Sequence, residues 1–263
     1  MNAGASPGTL NHNIVDPVAA YDQLAADYSQ FSNQRAAYLR SVEAQIISRI
    51  AAGGKSLLDL GAGDGSRAFR IAGKAGISRV VLLEPSFQMV RGVPANVEPW
   101  PIRAEELRPE EIPERFDLIT CLWNVLGHIW GSAKRVAALK NAAQLLSPSG
   151  LLFVDVIHRY NVRSYGALAT TARWLRDHVV PAETNGDVVA HWQTRAGTIS
   201  TYGHVFTDGE IRRLANLAGL ECSERAVIDY ESGMIQRFSC MGNLLYVFRP
   251  TSRSDSSSPL QTS

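Results

Sequence analysis

One stretch, SLLDLGAGDGSRAFRI from Ser56 to Ile71, limits the folds open to this chain more than any other. Leu57, Leu58 and Leu60 form an apolar run broken only by Asp59, and the run ends directly in Gly61, Gly63 and Gly65. Ala68, Ile71 and Ala72 follow at helical spacing. That order specifies a buried strand, a glycine turn and a helix. Glycine accepts the left-handed backbone of such a turn and lets a ligand approach the main chain, while the next helix offers unpaired N–H groups. Three alternating glycines exceed what a plain turn needs, so the loop reads as a ligand site.

Charge selects the ligand. A dinucleotide fingerprint, GxGxxG, holds a pyrophosphate at the helix N-terminus. Here the third glycine comes one position early, and Ser66 stands where Gly or Ala is required. Asp59 and Asp64 flank the loop. Two carboxylates repel a pyrophosphate but suit the ammonium and sulfonium of S-adenosylmethionine (SAM). The run VVLLEP, Val80 to Pro85, supplies a second strand with Glu84 at its C-terminal tip. A carboxylate there can accept from both hydroxyls of a ribose, although capping or a salt bridge is also open to it.

At 263 residues and 45% hydrophobic, the chain can bury one sizeable core, as a single α/β domain with an insertion. A formal net charge of +1 argues against a broad polyanion-binding face, so nucleic acid is unsupported as a partner, with tRNA left open. Cys121, Cys222 and Cys240 show no CxxC spacing, which indicates neither a zinc site nor a disulfide framework, and no metal is expected. No basic leader and no apolar run of about 18 residues occurs. A soluble, cytoplasmic protein without membrane partners is the expectation.

Residues 1–14 and the tail 251–263 are small and polar and read as disordered, leaving a domain over 15–250. Apolar spacing between Tyr21 and Ile50 predicts one or two helices ahead of the first strand. Val97 to Ile102, with Pro99 and Pro101, suits a third strand at a sheet edge. Phe116 to Leu122 is a fourth strand, followed by a helix from Ser132 to Leu146 that is closed by a turn at Pro148 and Gly150. Leu151 to Val156 is a fifth strand. Strands alternating with helices specify right-handed parallel units, hence a doubly wound sheet. Near the end, Asp208 caps a helix, and strands at Cys222 to Tyr230 and Gly242 to Pro250 have too few residues between them for a parallel crossover. The last strand is therefore antiparallel. Between the fifth strand and Glu210 lies an insertion over about 159–206, with a helix near Gly166 to Val179 and two alternating runs, DVVAHWQ and GTISTYGHVF, that pair as a hairpin. It lies at the ligand-binding edge of the sheet and suits a substrate lid.

LLDLGAGDG resembles the first motif of the class I SAM-dependent methyltransferases nearly letter for letter. The resemblance implies a mostly parallel, Rossmann-like sheet of seven strands. It implies a donor site built from Tyr28, Asp59, Gly61, Ala62, Gly63, Glu84, Pro85, Met89, Ala104, Glu105, Leu122 and Trp123. In that family a Tyr-rich N-terminal segment folds over the site, which makes Tyr21 and Tyr28 lining residues; packing on the core is their alternative. The family's adenine contact after the third strand is usually an Asp, and Arg103 stands there here, so Glu105 or the backbone near Ala104 must serve.

CLWNVLGHI, Cys121 to Ile129, sets Asn124 and His128 four residues apart, facing the donor or else satisfying buried backbone groups. With ALKN at Ala138 to Asn141 and DVIHRYN at Asp155 to Asn161, this region resembles the glycine N-methyltransferase-like enzymes. Carried over, Arg159 grips a substrate carboxylate beside Asn124 and His128 as the catalytic set; pairing with Asp155 or another carboxylate is the alternative. TYGHVFTDGEI, Thr201 to Ile211, resembles a stretch of methyltransferases that modify wobble uridines in tRNA, and it adds Tyr202 and His204 on the substrate side. Methyl transfer from a sulfonium mainly requires a desolvated nucleophile held in line. The resemblance thus implies transfer to a small polar metabolite, with an amino-acid-like amine preferred. The rivals are O-methylation of a metabolite or of a modified tRNA base.

Overall fold

The computed structural model describes residues 14–50, 54–94 and 97–251. The disordered segments expected at the two ends lie outside the described residues apart from Ile14 and Thr251, and both of these are held. Ile14 opens a short strand, β1 (Ile14–Val15), and the Thr251 N–H donates to the Gly219 carbonyl.

Three helices, α1 (Pro17–Leu24), α2 (Tyr28–Gln34) and α3 (Ala36–Ile47), precede the first sheet strand, where the sequence pattern suggested one or two. Then come β2 (Ser56–Leu60), α4 (Ser66–Ala75), β3 (Arg79–Leu83), the short α5 (Phe87–Val90) and β4 (Glu98–Trp100). The next units are β5 (Phe116–Cys121), α6 (Val125–His128), α7 (Ser132–Leu145) and β6 (Leu146–Val156). The predicted turn at Pro148 and Gly150 falls inside β6, because pairing with β5 already starts at Leu146 and its register slips before Leu151. The insertion holds α8 (Val162–Tyr165), α9 (Ala167–Val179), β7 (Asp187–Thr194) and β8 (Gly197–His204). The chain finishes with α10 (Asp208–Leu217), β9 (Leu220–Ile228), β10 (Ile235–Gln236) and β11 (Asn243–Pro250). Thr207, not Asp208, caps α10, its hydroxyl accepting from the Glu210 N–H.

The main sheet runs β10-β9-β11-β6-β5-β2-β3-β4. β11 pairs antiparallel with both β6 and β9, as its short connection requires, and β2 to β6 are parallel. The two-residue β10 adds an eighth strand to the seven the resemblance implied, through a hairpin on β9. All of β2 is buried, as expected of a central parallel strand covered on both faces. Apolar residues of α3 and α4 pack on one face of the sheet, and those of α7 and α10 on the other. From β2 the chain winds outward through β3 to the edge strand β4, then returns to β5 on the other side of β2. That reversal opens a crevice at the C-terminal ends of β2 and β5, where doubly wound sheets bind ligands.

A second sheet, β1-β8-β7, stands apart from the first. The hairpin pairs antiparallel from Asp187 with His204 to Thr194 with Gly197, and β1 adds in parallel to β8. Trp192 and Ile199 of the hairpin share a small core with Ala20 and Leu24 of α1. The N-terminal helices and the insertion thus cover the crevice together.

Candidate active site

The glycine loop leaves the end of β2 with Gly61, Gly63 and Gly65 at φ of 65°, 59° and 72°, the left-handed region that glycine enters freely. The N–H groups of Gly61 and Ala62 both donate to the Leu83 carbonyl at the end of β3 (2.7 and 3.1 Å). Glu84 completes the tie. Its buried carboxylate accepts from the Gly63 N–H (2.9 Å) and the Ser86 N–H (2.8 Å), one at each oxygen. Burial raises its pKa against these two bonds. Each oxygen keeps a lone pair for a further donor. A Cβ on Gly63 would lie 2.9 Å from the Tyr28 hydroxyl and 3.2 Å from Met89 Cε, so the bare backbone here is required by its surroundings.

Asp59 lies beneath the loop. One oxygen accepts from the Thr120 hydroxyl (2.6 Å), and the other is buried with no hydrogen-bond partner among the described residues. Burial pushes this carboxyl above its usual range, opposed by the Arg67 charge. An orphaned buried carboxylate oxygen is costly unless something donates to it. The orphan oxygen, the bare Gly63 and the half-used Glu84 carboxylate fit a cationic ligand that carries a ribose.

A cleft above the loop is lined by Tyr28, Gly61, Gly63, Glu84, Pro85, Ala104, Glu105, Leu122 and Trp123 of the expected donor residues. Asp59, Ala62 and Met89 sit behind this lining. Arg67 lines the cleft without having been anticipated there, and Arg103, at the position of the family's adenine contact, lines it as well. Arg103 pairs with Asp16 (2.7 Å), which fastens the start of α1 over the cleft. Val125 also lines it and packs where a Cβ on Gly61 would fall (2.5 Å).

A second cavity of about 390 Å³ lies beneath the hairpin, between Val188–Trp192 on one side and Arg35, Arg163, Tyr165 and Tyr230 on the other. Tyr21, Trp123 and His128 line both spaces and form their common wall. His128 Nδ1 lies 2.9 Å from the Tyr202 carbonyl, which can only accept, so Nδ1 carries the proton. Nε2 then presents its lone pair, and it takes the Tyr21 hydroxyl at 3.2 Å. Burial lowers the His128 pKa, with the Tyr202 bond opposing, and burial raises that of Tyr21 far above 10.0. The pair is a neutral imidazole and a neutral phenol.

The corner that carries this wall is strained. Trp123 and Asn124 have φ of 59° and 63°, uncommon for residues with a Cβ and tolerated best by Asn. Two bonds to Asp155 hold it: the Trp123 N–H to the side chain and the Asn124 N–H to the carbonyl (both 3.0 Å). The Asn124 amide donates to the His204 carbonyl and accepts from the Ile157 N–H (both 3.1 Å). Its backbone-satisfying use is therefore the one observed, although the residue still borders the second cavity. It precedes α6 as the N-cap residue, so Asn124 and His128 are not two positions on one face of that turn.

Arg159, Tyr202 and His204 line neither cavity. Arg159 is 5% exposed and donates to Asp177 (3.0 Å), Glu210 (2.7 Å) and the Val205 carbonyl (3.1 Å). It thus pairs with carboxylates, though not with Asp155. His204 sits between Asp187 (2.7 Å) and Glu210 (2.8 Å). The Tyr202 hydroxyl donates to Asp187 (2.7 Å) and accepts from Arg135 (2.5 Å). Together these groups form a buried ionic cluster that fastens the hairpin and α9 to α10.

Comparison with known proteins gives the family and the fold. The family model described as "Methyltransferase domain" matches residues 32–224. A ubiquinone biosynthesis O-methyltransferase of Thiobacillus denitrificans is 28% identical over 182 residues, covering 67% of this chain and 69% of that protein. The CcbJ methyltransferase from Streptomyces caelestis superposes with a TM-score of 0.68 at 19% identity, over 89% of this chain and 98% of that one. An S-adenosylmethionine-dependent methyltransferase from Clostridium acetobutylicum superposes with a TM-score of 0.61 at 14% identity, over 88% and 99%. The chain belongs to the methyltransferase domain family and is a SAM-dependent methyltransferase.

Proposed function

We propose that this enzyme methylates a hydroxyl group of a small molecule, with His128 as the proton acceptor. The observation that carries the reading is the Nε2 lone pair of a neutral, buried His128 on the wall common to both cavities. The glycine loop and Glu84 are the groups to hold the donor, with the Asp59 carboxyl behind them. When bound, SAM supplies an electrophilic methyl group on a positively charged sulfur. The acceptor hydroxyl would take that methyl group and give its proton to Nε2 of His128, directly or through the Tyr21 hydroxyl. A base contributes where the nucleophile must lose a proton, as a hydroxyl must. The hairpin acts as a lid that excludes water from this space. The ubiquinone biosynthesis O-methyltransferase among the relatives supports an oxygen acceptor.

An amine acceptor is the second reading, favoured by the enclosure of the cavity under the hairpin, since desolvation disfavours an ammonium and so keeps an amine neutral. The motif likeness to glycine N-methyltransferase-like enzymes supports it as well. Its expected carboxylate anchor is engaged elsewhere, since Arg159 is bound to Asp177 and Glu210. Labelled SAM incubated with a cell extract, then separated into tRNA and small-molecule fractions, tests these readings. We expect label in a small-molecule methyl ether. Label on a nitrogen favours the amine reading, and label in tRNA overturns both.

A further inference from the structure

The second cavity is chemically two-sided. Its inner end is the wall of Tyr21, Trp123 and His128, and its outer end holds two guanidinium groups, those of Arg35 and Arg163. Arg35 uses Nη1 on Glu231 (2.6 Å) and lies over the Tyr230 ring at 4.5 Å. Arg163 sets Nε 2.6 Å from Asp229. The Tyr230 hydroxyl is a second neighbour of the Arg35 guanidinium, and the other guanidinium N–H groups of Arg163 have no hydrogen-bond partner among the described residues.

The acidic side chains nearby are already used. Asp229 is 2% exposed at its side chain; one oxygen accepts from the Ser232 N–H and hydroxyl (2.7 and 2.6 Å), and the other faces Arg163. Glu231 is 76% exposed, and an ion pair so open to water contributes little and exchanges easily. The outer end therefore has a surplus of charged donors and few free acceptors. A guanidinium fork matches the flat oxygens of a carboxylate, or those of a phosphate. Trp123 of the inner wall and Trp192 of the hairpin stand edge to face with ring centres 6.3 Å apart and offer apolar surface to a ring.

We infer that the methyl acceptor carries an anionic group on the end opposite its reacting atom, bound by Arg163 and by Arg35 after Glu231 swings out, with an apolar or aromatic body between. This inference rests on the reading of the second cavity as the acceptor site. It moves the anion-binding role from Arg159 to two arginines that border the cavity.

Calorimetry on the full chain, saturated with S-adenosylhomocysteine, tests the inference with benzoate, phenyl phosphate and benzamide. At least one acid should bind about tenfold or more tightly than the amide, as charge-assisted hydrogen bonds do over neutral ones. Whichever acid is preferred identifies the anion. Arg163→Gln and Arg35→Gln should each erase most of that preference and leave benzamide binding unchanged. Glu231→Gln should act in the opposite sense and raise affinity for the acid, because it removes the resident competitor; a merely structural pair would not. Equal binding of acids and amide, absence of acid binding, or a preference that survives both arginine variants overturns the inference. Absence of S-adenosylhomocysteine binding would instead count against the donor site, and the preference for acid over amide would still be read in the second cavity.

Discussion

The Tyr21 hydroxyl lies 3.2 Å from Nε2 of His128, and this contact joins an N-terminal helix to the turn after β5 exactly where the two cavities meet. It has a consequence for pH. With the His128 pKa lowered by burial, the imidazole stays neutral below its ordinary 6.5, so kcat/KM should remain flat through that value and decline only in more acidic solution. His128→Gln should lower kcat by roughly a hundredfold, within the range of general-base contributions, and remove that acid limb. A limb unchanged in the variant would assign it to another group. Tyr21→Phe distinguishes direct proton transfer, which it should leave within a few-fold, from transfer through the phenol, which it should abolish.

The donor site is tested at Gly63 and Glu84. Gly63→Ala places a Cβ at a left-handed φ and against Tyr28 and Met89. Glu84→Ala removes the partner of the Gly63 and Ser86 N–H groups together with its free lone pairs. SAM affinity by calorimetry should fall in both, by about 1–3 kcal/mol for the charged hydrogen bonds of Glu84. Wild-type affinity in both folded variants would remove the loop from the donor site.

Arg159 should behave as a structural residue. Arg159→Met removes the guanidinium that bridges the buried Asp177 and Glu210, leaving them Arg176 (3.4 Å) and His204 (2.8 Å), and removal of one partner from such a cluster costs about 3–5 kcal/mol. Denaturant unfolding should show that loss. Arg159→Lys should be destabilised as well, since an ammonium cannot reach Asp177, Glu210 and the Val205 carbonyl in the same fork. A stable Arg159→Lys enzyme with a raised KM for the acceptor would restore the substrate-anchoring role.

His158 gives stability its own pH window. It is buried with Nδ1 on the Ser239 carbonyl (2.9 Å), and burial pushes its pKa down to about 4. The unfolded chain takes up this proton near 6.5 and the folded chain only near 4, so stability present above 6.5 is lost as the pH falls between the two. The loss is on the order of 3 kcal/mol at 1.4 kcal/mol per unit. Asp177, Asp187 and Glu210 are lowered as well: burial raises them, but their bonds to Arg159, Tyr160, Tyr202 and His204 outweigh it, so their share is lost in more acidic solution. His158→Gln should reduce the slope of the unfolding free energy between pH 6.5 and 4, where the buried His128 supplies the remainder, and leave the steeper fall below it. An unchanged slope in the upper window would exclude His158.

The parts of the fold that were legible in the sequence are those written locally. The run Leu57 to Gly65 contains a strand, its burial and its turn in consecutive residues, and the few residues between β9 and β11 dictate an antiparallel strand by length alone. The hairpin was legible from alternation on both sides of Arg195 and Ala196. Arg159 was less so, because its partners stand 18 and 51 positions away on α9 and α10, and nothing near DVIHRYN announces them. Asn124 posed a related difficulty: a polar residue after a central strand has the same signature whether it meets a ligand or, as here, two backbone groups from distant segments. Arg35 and Arg163 sit in no motif, and only the folding of α2, α8 and the turn after β9 brings them to one cavity.

The small core shared by Ala20, Leu24, Trp192 and Ile199 is separate from the two clusters that line the faces of the main sheet. Beyond the ionic cluster at its Asp187–His204 end, the hairpin rests on these few apolar contacts, and that outer part can detach without disturbing the strands beneath it. Breathing of this kind gives both ligands a route in and the product a route out at a fraction of the cost of global unfolding. Backbone amides of α1 and of the outer hairpin, from Ala190 to Thr201, should then exchange with solvent as one early cooperative unit, well ahead of those in β2, β5 and β6.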